Sequence, residues 1–237
     1  MKARALVVTC EHGGNRIPRA YARCFAGHEA ALASHEGHDP GALELARDLQ
    51  RRFDAPLVYS TTSRLLVELN RSPGHPQLYS RFTRALPEDE KRELCGRHYL
   101  PYRHDVERCV THALRRCRQV VHVSSHSFTP VLDGKRRKAD VGLLYDPSRA
   151  PERDFCLAWQ AGLKRALPQL VIRRNYPYRG TADGLTTHLR RRFAQEGYLG
   201  IEIEVNQKHA LGDARAWREL RSAIAASLAQ ALTGKCE

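Results

Sequence analysis

The chain has 237 residues, 42% of them hydrophobic and 27% charged. These are the proportions of one globular domain with a sizeable core, and they exclude a disordered or fibrous chain. Thirty-nine Lys and Arg against 26 Asp and Glu give a formal net charge of +13, a field that draws anions, whether nucleic acid, membrane surface or acidic metabolite.

The basic residues form short clusters (Arg51-Arg52, Lys135 to Lys138, Arg190 to Arg192) and no long tail, the pattern of a solvated surface. Seven cysteines with no CxxC pair argue against a disulfide framework or a zinc finger and for reduced thiols in a cytoplasmic protein. The apolar run after the basic start is too short for a signal peptide, and no stretch reaches the length of a transmembrane helix.

Residues 5–10 (ALVVTC) read as a buried strand. It ends at Glu11-His12-Gly13-Gly14, where the glycines permit a tight turn. Residues 40–53 follow, a helix with Pro40 at its first position, Asp39 as its N-cap, and Ala42, Leu45, Ala46, Leu49 and Phe53 along one stripe. Residues 55–60 and 65–69 (LLVEL) read as strands. The polar, aperiodic stretch 70–98 reads as a loop-rich insertion near the site. A second amphipathic helix covers 101–117, starting at Pro101 and burying Val106, Val110, Ala113 and Leu114.

The 119–125 strand delivers His126 at its end, 140–145 is a short strand, 151–167 a helix, and 169–174 another strand. In 199–206 apolar and acidic residues alternate, so Ile201, Ile203 and Val205 face one way and Glu202, Glu204 and Asn206 the other. A helix over 213–232, packed through Ala216, Leu220, Ile224 and Leu228, closes the chain. Strands alternating with helices predict a single α/β domain over 1–237, with a mixed, mostly parallel central sheet flanked by helices.

Four polar clusters fall at or beside strand ends: Glu11 to Asn15, His35 to Asp39, His126-Ser127, and Glu204. Strand ends are where open α/β sheets place their sites. A hydrolytic zinc takes three ligands from His and Asp or Glu and keeps one position for water. His12, an acid of the second cluster and His126 supply that set, and Glu204 supplies the separate carboxylate that moves the proton. No HExxH, GxSxG, GxGxxG or P-loop is present.

The segments EHGGNRIP, SRLLVELNRSP, HSFTPV, RKADVGLLYDP and EIEVNQ, in that order across about residues 5–207, resemble the N-formylglutamate amidohydrolase family. The resemblance implies a fold similar to the zinc carboxypeptidase and peptidoglycan amidase group. It implies zinc-dependent hydrolysis of N-formyl-L-glutamate, or of a related N-acyl amino acid, in amino-acid breakdown. Carried over by position, it puts the metal on His12, Asp39 and His126 and the acid–base role on Glu204. The family often has an aromatic residue where this chain has His38, which leaves Glu36 and His38 open as ligands.

Asn70 and Arg71 stand where the family shows a D-x-N-R pattern, with Glu68 in the acid's place. They are expected to bind the substrate, with Arg71 as the carboxylate clamp and Arg64 and Arg137 as further candidates. Ser127 and Tyr145 are expected in the pocket, and His188 as a proton donor or oxyanion partner. The expected partner is a small anionic N-acyl amino acid rather than a membrane or nucleic acid. Two competing readings stand beside this one: a peptidase or cell-wall-type amidase on the same scaffold, and a basic nucleic-acid-binding module.

Overall fold

The computed structural model describes residues 2–194 and 197–234. In chain order the elements are β1 (Lys2–Cys10), α1 (Glu29–Ala33), α2 (Ala42–Phe53), β2 (Leu57–Tyr59), α3 (Glu88–Leu94), α4 (Leu100–Leu114) and β3 (Cys117–Phe128). There follow β4 (Val131–Leu132), β5 (Lys135–Arg136), β6 (Val141–Leu144), α5 (Ala150–Ala166) and β7 (Ile172–Arg174). The chain ends with α6 (Leu185–Arg192), β8 (Tyr198–Asn206), α7 (Gln207–Ala210) and α8 (Ala214–Thr233). A six-stranded sheet runs in the order β2-β1-β3-β8-β6-β7, and β4 and β5 make a separate hairpin. Within the large sheet only the β6–β8 pairing is antiparallel. The sheet is therefore mixed and mostly parallel, as its sequence pattern predicts.

The two faces of this sheet differ, and the difference makes the site. On one face Leu6, Val8 and Cys10 of β1, Val121 and Val123 of β3, and Ile201, Ile203 and Val205 of β8 join one core cluster with residues of α2, α5 and α8. On the other face the strands start apolar, with Val7, Val120 and Tyr198 in a second core beneath α4 and α6. Toward their C-terminal ends the same face turns polar: Thr9 on β1, then His122, Ser124 and His126 on β3, and Glu202 and Glu204 on β8. Cα register sets Thr9 beside Ser124, Ser124 beside Glu202, and His126 beside Glu204. The period-2 geometry of strands thus stacks these polar groups in one layer.

Several elements differ from the sequence expectation. Residues 65–69 form turns, not a strand. Leu65, Leu66, Val67 and Leu69 are buried, and their backbone is satisfied by Ser80 and Thr83 side chains and by Leu78. Apolar content signals burial, and here a braced loop supplies the burial. The helical rod into α4 starts earlier than Pro101: α3 continues through a π-helical turn, Cys95–Tyr99. There Leu100 N–H reaches back to the Cys95 carbonyl, so the ladder is already offset where Pro101 lacks its donor. On α8 the buried stripe uses Trp217, and Ala216 is exposed.

Asp39 does not cap α2 with its side chain. Gly41, at φ 82°, holds the N-cap position, and the Asp39 carboxylate turns inward. Asp213, by contrast, caps α8 by accepting from Ala216 N–H at 2.7 Å. Asp213→Ala is expected to lower stability by about 1 kcal/mol, seen as a lower urea midpoint at unchanged slope.

Among the described residues no helix is long and apolar enough to cross a membrane. Six cysteines are free thiols. Cys236 lies outside the described residues.

Candidate functional site

The site forms where β1 and β3 end. β1 runs into Glu11-His12, and Gly13 and Gly14 then let the chain press against residues 60–61. A Cβ at Gly13 would lie 2.8 Å from the Ser60 carbonyl, and one at Gly14 2.7 Å from that of Thr61. These glycines serve close approach rather than an unusual φ. His126 comes up on β3 beside them, its ring centroid 4.9 Å from that of His12. Asp39, just before α2, completes the group.

One oxygen, Asp39 Oδ2, lies 3.3 Å from His12 Nδ1 and 3.0 Å from His126 Nδ1. Together His12, Asp39 and His126 offer three ligand atoms within 4.8 Å of one another, all from buried residues. Each histidine's other nitrogen is held by a carboxylate. His12 Nε2 pairs with Glu68 Oε1, and His126 Nε2 lies 3.0 Å from Glu11 Oε2. Such partners fix tautomer and ring orientation, leaving both Nδ1 atoms aimed at one point.

These partners are themselves fixed. Glu11 is fully buried and accepts from Tyr102 Oη at 2.7 Å and Ser124 Oγ at 2.5 Å. Arg64 spans Glu68, at 2.6 Å, and Asp39 Oδ1, at 3.3 Å. Ser127 N–H also donates to Asp39 Oδ2, at 3.3 Å. Burial pushes the carboxyl groups of Glu11, Glu68 and Asp39 upward. Their cationic and hydrogen-bonding neighbours outweigh it: His126 and Ser124 for Glu11, Arg64 and His12 for Glu68, both histidines and Arg64 for Asp39. All three end well below the usual carboxylate range. Burial alone would lower the His126 imidazole, but bonds to Asp39 and Glu11 carry it well above its ordinary value. Deeper on the same face of β3, beyond Ser124, His122 lies between Thr9 and Tyr198 hydroxyls, and burial lowers it to about 4.

Glu204 behaves oppositely. It is 5% exposed, Oε2 has no hydrogen-bond partner among the described residues, and its strand register sets it beside His126. Burial raises its carboxyl to about 8. The charge of His126 pulls it down in part, and those of Asp39 and Glu202 push it up. A buried carboxylate without a partner is costly, and at the edge of a ligand cluster it is the mark of a working group. The donor set fits a catalytic zinc: two imidazoles and one carboxylate, with the charge beyond them largely acidic.

The other expected site residues are placed as follows. Asn70 Oδ1 accepts from Leu185 N–H at 2.7 Å, at the start of α6. Arg71 donates to the Asp183 carbonyl at 2.6 Å. Arg137 lies between the Phe128 and Tyr178 rings and donates to Tyr178 Oη at 3.1 Å. Three residues are engaged elsewhere. The Ser127 hydroxyl donates to the Pro40 carbonyl at 2.8 Å, tying β3 to the Asp39 turn. Tyr145 is buried in the core cluster of α5 and α8, its hydroxyl 3.4 Å from Arg174. His188, partly exposed on α6, pairs with Glu107 of α4 at 2.8 Å. Sequence reasoning missed the parts of Glu11 and Glu68 as histidine partners. Glu11 adjoins His12 but serves His126, a relation that no local spacing encodes.

Comparison with known proteins identifies the family and the fold. A family model described as N-formylglutamate amidohydrolase matches residues 4–211. A solved gene product of Agrobacterium tumefaciens is 30% identical, covering 97% of this chain and 90% of that one with a TM-score of 0.83. An N-formylglutamate amidohydrolase of Ralstonia eutropha JMP134 is 18% identical, covering 97% and 94%, with a TM-score of 0.68. No curated protein matches.

Proposed function

This chain belongs to the N-formylglutamate amidohydrolase family, whose members hydrolyse amides, and from that premise we propose that it uses one zinc ion to hydrolyse N-formyl-L-glutamate or a closely related N-acyl amino acid. One observation carries the reading: two imidazole Nδ1 atoms and a carboxylate oxygen converge on one point, with Glu204, whose Oε2 has no hydrogen-bond partner among the described residues, on the adjoining strand.

His12, Asp39 and His126 would hold the metal. When bound, zinc supplies Lewis-acid polarisation of the amide carbonyl and lowers the pKa of a bound water. Glu204 takes the proton of the attacking water and returns it to the departing nitrogen, so that formate (or another acid) and a free amine leave. Arg71 and Arg137 form no ion pair among the described residues, so their charge is available to substrate carboxylates. Arg64 is already committed to Asp39 and Glu68, which makes it a brace for the ligands.

The test is the metal content of purified protein together with formate release from N-formyl-L-glutamate, with and without chelator. The reading requires about one zinc per chain and formate release that stops on chelation and returns with zinc. Zinc without formate release would move the substrate to another N-acyl amino acid or a peptide, to be found with an acyl and peptidyl panel. Neither metal nor turnover would overturn it.

A second expectation concerns the carboxylates behind the histidines. Glu11→Gln and Glu68→Gln each keep shape but lose the charge that orients an imidazole. Zinc affinity is expected to fall about 10–100-fold, measured by competition with a fluorescent chelator.

A further inference from the structure

A large open cavity lies away from the metal ligands. It has a volume of about 950 Å³ and lies where β1 and β3 begin, between the ends of α2, α4 and α8. Arg4, on its wall, is eight residues before His12, so at roughly 3.3 Å per residue the cavity is about 25 Å from the ligands. Its volume is at the upper end of the ~300–1,000 Å³ usual for small-molecule sites.

The lining is divided. Leu6, Phe53, Pro56, Ala113 and Leu232 supply apolar walls. The rim is made by the last turns of α4 and the turn that follows it: Arg108 and His112 on the helix and Arg116 in the turn before β3 are all exposed, and all line the cavity. Cys109 and Ala113, each one residue on, extend down its wall. The two guanidinium groups, Arg108 near the end of the helix and Arg116 just past it, therefore stand at the opening above an apolar wall. Arg108 pairs with the half-buried Asp105, and Arg116 forms no ion pair among the described residues. Asp54 is the acidic residue among the lining side chains.

We propose that this cavity binds a fatty carboxylate, its alkyl chain against the Leu6, Phe53 and Ala113 walls and its headgroup at Arg108 and Arg116. The apolar walls favour the chain because it leaves water there, and the guanidinium rim favours a carboxylate over a neutral or cationic head. The site uses none of the groups assigned to amide hydrolysis.

The experiment titrates the whole protein with 11-(dansylamino)undecanoate, following dansyl emission, and with the matching uncharged carboxamide. Saturable binding of the acid is expected. Ala113→Trp, which fills the cavity, should abolish it. Cys109→Trp, at a half-buried position nearer the rim, repeats that test if Ala113→Trp proves unfolded by circular dichroism. The Arg108→Glu/Arg116→Glu pair should weaken the acid by about tenfold or more and leave the carboxamide unchanged. Bound acid should also slow alkylation of Cys109, read by peptide mass spectrometry. The proposal is overturned by absence of saturable binding, by undiminished binding to a folded filled variant, or by equal affinity for acid and carboxamide.

Discussion

Glu204→Gln is expected to lower turnover roughly 10²–10⁴-fold while the variant binds as much zinc as the parent. Glutamine keeps the shape of the side chain and removes the group that accepts and returns the proton. The carboxyl is well suited to that task. In the metal-free protein burial among acidic neighbours raises it to about 8, and a zinc ion held beside it would draw it back toward the carboxylate form that accepts a proton. Loss of zinc in the variant would make Glu204 a ligand and overturn the assignment.

The same substitution has an opposite effect on stability. In the chelated protein the folded-state Glu204 carboxyl titrates above its unfolded value, so the folded state binds more protons between the ordinary range and about pH 8. Its contribution is fully present below the unfolded pKa and is lost as pH rises through the folded one. Glutamine does not titrate. Glu204→Gln should therefore be more stable than the parent at pH 8, by an amount on the order of a few kcal/mol, and show little gain at pH 5. Glu11, Glu68 and Asp39, held low, contribute in the other sense: their stabilisation is present at neutral pH and lost on acidification. Urea unfolding of chelated protein at the two pH values separates these effects.

What could be read from the sequence follows from the range of the physical signals. His12, His126 and Glu204 were legible because each ends or lies on a strand whose period-2 or continuous apolar pattern is local. The same locality misled at 65–69, where an apolar run is buried by a loop braced through Leu78, Ser80 and Thr83. Glu11 and Glu68 were visible as residues but not in their roles. The bond from Glu68 to His12 crosses 56 positions, and that from Glu11 to His126 joins two neighbouring strands far apart in the chain. His188 was a candidate proton donor or oxyanion partner before a basic helix, and its pairing with Glu107 depends on how α6 packs on α4. Among Glu36, His38 and Asp39 no spacing rule could choose, because the three follow one another in a loop.

The proposed centre takes Asp39 from those three, and Asp39→Asn tests that choice. Asp39 Oδ2 faces both Nδ1 atoms. Glu36 is half exposed, paired with Arg81 at 2.5 Å, and His38 Nδ1 is buried with no hydrogen-bond partner among the described residues. Asparagine at 39 removes the one anionic oxygen at the convergence point and offers a neutral amide to nitrogens that face it. Bound zinc is expected to fall from about one per chain to near none, and formate release to fall to the level of the chelated parent. Glu68 still holds Arg64 and His12, and both cores are untouched, so the variant should remain folded by circular dichroism. Glu36→Gln should leave zinc and turnover close to the parent, since it trims only an exposed pair. His38→Ala should likewise retain zinc. If Asp39→Asn keeps its metal while His38→Ala loses it, the centre is built on His38, and the turn before α2 must rotate to bring that ring to His12 and His126.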